Sequence, residues 1–340
     1  MMRKVLYLVL LFVYACGVTE DKKEEKSEIV VLSEKITQDP LNTSLLLDRV
    51  NYNLSKNNLE SALFDLKECV RIDSLNPKFH YLSADTYFNL SKLPNANAKY
   101  PGLVKYHLEK VIALSTDDFK AHALMGELLL AYAKYKEAIA SFNTSLKIEY
   151  NQAKTHLLLG YTFKQLNQTK EAVNCFRNAV NVDPAYKEAF VQLGQIFHLE
   201  GDTTAVQYYN NALSIDPTDE IVLYNKALFY QSIKDWNNAL DAYADLHKVN
   251  AFHSSGHYNI GFIHMELGLY DVASNNFSDA IYSNSELYEA YYSRGNCFET
   301  LGNIAQAEVD YKRAIEINPN YTYAVEALES LREKNKKYNK

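Results

Sequence analysis

Four imidazoles recur at one place in a repeated pattern. His80, His122, His156 and His257 each stand fourth in a recurring segment. A histidine column could hold a metal, but the spacing argues otherwise. One histidine per segment would sit on helices roughly 8–10 Å apart, whereas zinc needs its nitrogens at about 2.0–2.1 Å. These residues are expected to pack in a core and hydrogen-bond locally. His253 and His257 lie four apart and could share a helix face, yet no third ligand accompanies them. The thiols offer no second route: Cys69, Cys175 and Cys297 are far apart, and no Cys-x-x-Cys pair occurs. There is no Gly-rich phosphate loop, His-Glu-x-x-His or nucleophile elbow. The sequence thus predicts a protein that is not an enzyme, with no catalytic residue, no metal and no cofactor.

The elements that carry those histidines repeat every 34 residues. Gly295, Ala307, Tyr311 and Ala314 have counterparts 34 residues upstream in Gly261, Ala273, Phe277 and Ala280. A period in this range marks a solenoid of stacked helix pairs, whose core grows with each added unit. Position 8 reads Val50, Ala84, Gly126, Gly160, Gly194, Ala227, Gly261 and Gly295. Position 20 reads Ala62, Val104, Ala138, Ala172, Ala205, Ala239, Ala273 and Ala307. Small residues there let two helices approach. Position 24 is large, from Leu66 to Tyr311, and fills the space beside that contact. Gly201, Gly268 and Gly302 fall where a first helix needs a left-handed cap.

These columns resemble the tetratricopeptide repeat. The resemblance implies an all-α, right-handed α-solenoid of about eight helix pairs with end-capping helices. Repeats fall at 43–76, 77–118, 119–152, 153–186, 187–219, 220–253, 254–287 and 288–321, which together make a repeat domain over 43–321. Residues 29–42 form an N-terminal capping segment, and 322–340 a C-terminal capping helix and tail. Repeat 2 carries an insertion near Leu93–Tyr100, and repeat 5 is one residue short between Gly201 and Ala205, read as a tightened turn. Arg49 and Asn53 stand at usually apolar positions.

In this family the first helices line a concave face, chiefly through positions 2, 5, 9, 12 and 13. By that resemblance the groove candidates are Tyr81, Leu157, Tyr161, Tyr224, Leu228, Tyr258, Phe262 and Tyr292. Tyrosine gives a large rigid contact area with one polar tip, which suits docking of a protein or peptide. The same side chains could instead pack between repeats. Position 5 holds no basic residue, unlike arrays that grip a C-terminal carboxylate. Lys78, Lys120 and Lys154 make an early basic edge, and Glu188, Glu266, Glu289 and Glu299 make the later repeats acidic. The expected function is an adaptor that binds protein or peptide partners; the alternative is a glycan- or peptidoglycan-binding module that uses the same aromatic face.

The N-terminus adds an address. Arg3 and Lys4 precede an apolar run from Val5 to Ala15, too short to span a bilayer but suited to a signal peptide. Val13-Tyr14-Ala15-Cys16 resembles a bacterial lipobox, which implies cleavage after residue 15 and a lipid on the Cys16 thiol. Residues 16–28, rich in Glu and Lys, then read as a flexible charged tether. The implied place is the bacterial envelope: outer membrane facing the periplasm, or the cell surface, with contact to the membrane through the lipid only. Known lipoproteins of this kind act in peptidoglycan-hydrolase control, outer-membrane protein assembly and pilus assembly. A formal charge of -7 without a basic stripe argues against nucleic acid as a partner.

Overall fold

Helix ends in this chain are set by side chains that sequence spacing places just outside them. Asn42, Asn76, Asp118 and Asp219 each accept a backbone N–H of the following turn, and a helix starts there. Outside repeat 2, where the left-handed residue is Asn95 within the insertion, first helices close on a residue in the left-handed region at position 15. Glycine fills it in three repeats, at φ +68, +75 and +81 for Gly201, Gly268 and Gly302. Asn57, Ala133, Asn167 and Lys234 adopt it with a side chain in place. From these signals follow the elements of the computed structural model, which describes residues 27–338.

A lead helix α1 (Glu28–Gln38) precedes eight pairs. The pairs are α2 (Thr43–Ser55) with α3 (Leu59–Ile72), α4 (Pro77–Ser91) with α5 (Tyr100–Leu114), α6 (Phe119–Ala131) with α7 (Tyr135–Ile148), and α8 (Ala153–Gln165) with α9 (Thr169–Val182). They continue with α10 (Lys187–Leu199) and α11 (Thr204–Ile215), α12 (Glu220–Ser232) and α13 (Trp236–Val249), α14 (Ser254–Glu266) and α15 (Tyr270–Ser283), and α16 (Tyr288–Thr300) and α17 (Ile304–Ile317). Helix α18 (Thr322–Tyr338) closes the series. With eighteen helices and no strand among the described residues, the fold is an all-α solenoid. It divides into two compact blocks, one ending at Ser115 and the other starting at Thr116.

Within each block the most extensive packing joins the two helices of a pair, and the second helix then packs on the first helix of the next repeat. The small-residue columns explain the first contact. Every position-20 residue and every position-24 residue is fully buried. A Cβ added at Gly126, Gly160, Gly194, Gly261 or Gly295 would lie 2.5–2.8 Å from the position-24 ring of its own repeat. That is well inside the roughly 3.5–4.0 Å of an ordinary carbon contact. The glycine therefore admits the aromatic ring.

Two local features depart in part from expectation. The deletion in repeat 5 tightens the entry to the second helix as expected, Ala205 N–H donating to Asp202 O three residues back where Ala172 N–H reaches four back to Gln168 O, and it also shortens that helix. Helix α11 has 12 residues where most second helices have 14, and Asp202 accepts the Thr204 N–H to start it. Helix α1 also takes in Glu28, which the tether was expected to hold. The insertion of repeat 2 lies in the loop between α4 and α5, which keeps both helices whole. Signal segment 1–15, Cys16 and most of the tether fall outside the described residues.

The flanking helices keep the repeat register. Arg49 clamps Asp65 with Nε and Nη2 at 2.8 and 2.7 Å, while Nη1 donates to Ser33 Oγ on α1 at 3.1 Å. Arg294 repeats this on Asp310 at 2.8 and 2.8 Å, with Nη1 to Ser278 Oγ on α15 at 3.0 Å. Ser33 thus stands to repeat 1 as Ser278 stands to repeat 8, and α1 occupies the place of a second helix. Helix α18 takes the place of a first helix, burying Ala324, Leu328 and Leu331.

Candidate partner-binding face

First helices of alternate elements touch, α6 with α8, α10 with α12 and α14 with α16, so their outer sides form one face within the block that starts at Thr116. Position 5 on this face carries tyrosines that reach toward the following repeat. Tyr224 OH accepts from Asn259 Nδ2 at 3.1 Å, and Tyr258 OH accepts from Ser293 Oγ at 3.5 Å. Each ring also lies on the position-24 ring of its own repeat. Tyr224 is 6.2 Å from Tyr243, Tyr258 5.5 Å from Phe277 and Tyr292 6.0 Å from Tyr311. These tyrosines, with Tyr161, Leu228 and Phe262, are half-buried. They pack between repeats with their inner edges and present the remainder outward. Tyr81 is half-buried in the other block.

Leu157 does not share this arrangement. It is 6% exposed and packs with Ala172, Phe176, Ala179 and Leu193, which removes it from the surface. A leucine at position 5 is too short to carry apolar atoms past the inter-helix contact, where a tyrosine extends beyond it.

The face deepens at one point into a cleft of about 220 Å³ that draws on repeats 4, 5 and 6. Tyr161, Lys187, Glu188, Val191, Asp219 and Ile221 line it. Burial, reinforced by the nearby Glu188 carboxylate, pushes the Tyr161 hydroxyl pKa up. Lys187 Nζ donates to Asp216 at 2.8 Å and to Asp219 at 2.6 Å, and these hydrogen bonds raise its pKa. Two carboxylates thus share one ammonium, and Glu188 adds a further negative charge, so the cleft is net anionic. Ile221, at position 2, is 68% exposed on the rim. Sequence reasoning missed it because it weighed position 2 only for charge. Of the early lysines, Lys154 pairs with Glu127 at 2.6 Å.

A second polar feature joins core to face. Where position 24 is tyrosine, its hydroxyl reaches a polar residue at position 12. Tyr209 OH lies 3.4 Å from His198 Nδ1, Tyr243 OH donates to Gln231 Oε1 at 2.6 Å, and Tyr311 OH donates to Glu299 Oε2 at 2.9 Å. Phenylalanine repeats have Leu130 and Met265 at that place, or Lys164, whose ammonium turns instead to Gln192. This covariation within one chain was a readable signal. At the C-terminal end Tyr292 meets Tyr321 edge-on at 5.3 Å, and Tyr321 meets Tyr288 at 4.9 Å and Tyr323 at 5.6 Å. That aromatic cluster was also not foreseen, since two of its members lie beyond the eighth repeat's first helix.

The position-4 histidines share one local bond. Nε2 donates to the carbonyl six residues earlier: His80 to Ser74 at 3.0 Å, His122 to Thr116 at 3.3 Å, His156 to Tyr150 at 3.1 Å and His257 to Ala251 at 2.9 Å. A carbonyl only accepts, so the Nδ1 of His80 must accept as well, and His107 Nδ1–H donates to it at 2.9 Å. Burial, then the His80 ring, push the His107 pKa down to about 4. Among the described residues the three cysteines are free and buried, with thiols pushed up by desolvation to about 11 for Cys69 and Cys297 and about 12 for Cys175. Such thiols are inert as nucleophiles. Among the described residues no group of three or more His, Cys, Asp or Glu side chains is placed to hold a metal ion.

Family comparison agrees with this geometry. A tetratricopeptide-repeat model matches residues 288–321, and a second TPR-repeat model matches 160–201. The array contains tetratricopeptide repeats. No curated protein matches the sequence. Among solved structures, one described as the functional characterization of Pseudomonas aeruginosa PilF is 15% identical, covers 62% of this chain and 92% of its own, and superposes with a TM-score of 0.52. MamA from Desulfovibrio magneticus RS-1 is 21% identical over 52% of this chain and 96% of its own, with a TM-score of 0.46. The APC/C hetero-tetramer Cut9-Hcn1 is 14% identical over 89% of this chain and 58% of its own, with a TM-score of 0.44. At 15% identity the PilF likeness shows the fold alone. In tetratricopeptide terms, the cleft at Tyr161 lies on first helices, at positions 1, 2, 5 and 9, and on the capping residue Asp219 before α12.

Proposed function

We propose that the protein is a non-enzymatic scaffold that seats an extended segment of a partner protein along the first-helix face, and that a lipid on Cys16 holds it at the bacterial envelope. The observation that carries the binding half is the cleft at Tyr161, Glu188, Val191 and Ile221. It spans three repeats, so a ligand there must run along the array rather than sit within one repeat. Exposed apolar area beside an excess of carboxylate charge favours a partner segment with aliphatic side chains and a basic residue. The tyrosines at positions 224, 258 and 292 continue that path with rigid, partly exposed rings.

Photo-cross-linking from Tyr161 and Tyr258 in cells, read by mass spectrometry, tests the binding half. Ile221→Asp is expected to abolish the Tyr161 adduct. Adducts to glycan alone, or none from either site, refute a protein partner. The anchor rests on the Val13–Cys16 pattern. Cys16→Ala is expected to lose palmitate labelling and leave the membrane fraction; retention of both removes the anchor.

A further inference from the structure

Repeats 1 and 8 hold the same arginine clamp but dress it differently. In repeat 8 two rings flank the guanidinium: Tyr291 lies 5.6 Å and Phe298 5.8 Å from Arg294 Cζ. The counterparts in repeat 1 are Leu46 and Asn53. Among the described residues no aromatic ring lies over Arg49. An open cleft of about 480 Å³ stands there, with Arg49, Asn53 and Asp65 below and Ile29, Glu60 and Phe64 around. Phe64 is 67% exposed on its lip, whereas Asn53 is only 6% exposed. Yet the Asn53 carboxamide makes no hydrogen bond to any described residue, and its polar atoms are not sealed from the cleft, which leaves them open to a ligand.

The chain satisfies asparagine amides with tyrosine hydroxyls elsewhere. Asn259 Nδ2 donates to Tyr224 OH at 3.1 Å, and the Asn296 carboxamide lies 2.7 Å from the Tyr311 hydroxyl, whose proton goes to Glu299. We propose that the repeat-1 cleft is a socket for the tyrosine side chain of a polypeptide partner, its ring stacked on the Arg49 guanidinium and its hydroxyl on Asn53. The ring replaces Phe298 of repeat 8, and Phe64 covers the neighbouring backbone. Asp65 already takes two guanidinium N–H groups, and Glu60 adds a negative rim, so the socket selects the unphosphorylated side chain. The site uses positions 7, 11, 18, 22 and 23, none of them on the first-helix face proposed above, and each site can fail without the other.

N-acetyltyrosinamide titrated into the ¹⁵N-labelled full chain tests this by NMR. The Asn53 side-chain NH₂ and Arg49 Nε–H resonances are expected to shift. N-acetylphenylalaninamide should bind about tenfold more weakly, having lost one hydrogen bond to the Asn53 amide. Asn53→Phe should fill the socket and abolish binding with an unchanged circular dichroism spectrum. Asn53→Ala should bind both amides equally. The socket is overturned by equal shifts with N-acetylalaninamide, by no shift at Asn53 up to the solubility limit, or by undiminished binding to Asn53→Phe. Tighter binding of the O-phosphotyrosine amide overturns it in favour of an anion site, and tighter binding of free tyrosine removes the polypeptide source.

Discussion

Adding one methyl group at Gly160 should separate α8 from α9. An ideal Cβ there falls 2.5, 2.8 and 2.9 Å from Cε1, Cδ1 and Cζ of Phe176. Carbon atoms prefer about 3.5–4.0 Å, so the ring must retreat by roughly 1 Å. Phe176 is fully buried among Leu157, Ala172, Ala179 and Leu193, at interior density, and has nowhere to go. Overpacking of this kind costs about 1–3 kcal/mol, and the better helix propensity of alanine returns about 1 kcal/mol. With three ring atoms in conflict, Gly160→Ala should lose about 1–2 kcal/mol net. Repeat 6, where Ala227 and Tyr243 are both fully buried, shows that helices set for the pair accept it, so the loss measures the adjustment α8 and α9 must make. Repeat 2 supplies the remedy, since Ala84 and Leu108 are both fully buried there. The double variant Gly160→Ala/Phe176→Leu should be more stable than the sum of the single changes by about 1 kcal/mol or more. Urea denaturation measures the totals. Amide exchange in α8 and α9 localises them, because a repeat array need not unfold in one step. A Gly160→Ala protein as stable as the parent, or strictly additive single changes, would refute the close-approach account of position 8.

Other perturbations probe single contacts. His107 is 9% exposed and its pKa falls from the ordinary 6.5 to about 4, so its stabilising effect is complete above 6.5 and is lost as pH falls toward 4. At pH 5 the N-terminal block should be weaker by about 2 kcal/mol, with an NMR midpoint for His107 near 4; a midpoint near 6.5 would contradict the buried neutral pair. Ala133→Gly and Lys234→Gly, at φ +55 and +59, should each raise stability by about 0.5–1 kcal/mol in urea. Tyr243→Phe strands Gln231 Oε1 and should cost about 1 kcal/mol, while Phe277→Tyr, opposite Met265, should gain no compensating bond; equal effects would dismiss the link between positions 12 and 24.

Spacing alone carried the helix-pair register, because each conserved distance along the chain answers a contact across one pair: Gly160 with Phe176, Gly295 with Tyr311. Histidine roles were legible in part for the same reason: all four at position 4 bond six residues back, but only His80 and His156 are buried, while His122 and His257 stay half-exposed. Contacts between repeats were harder. Arg49 read as an anomaly, and only its bidentate grip on Asp65, with Ser33 from α1, shows that it is half of a motif that recurs at Arg294. Leu157 was misplaced because a column fixes where Cα stands, whereas side-chain length decides whether its end emerges. Ile221 was overlooked because polarity was the only criterion applied to its column.

The two flanking helices carry a consequence for size. Within the repeats, position 8 is small and position 27 is buried, from Cys69 to Ala314, so that one more helix can always be laid down. In the same frame α18 places Glu329 at position 8 and α1 places Lys35 at position 27, both exposed. A further helix would have to bury an unpaired charge at either end, a cost of several kcal/mol per ion. Geometry would let this stack grow without limit. Two side chains of opposite sign instead give the two ends of the described repeats charged, solvent-facing surfaces.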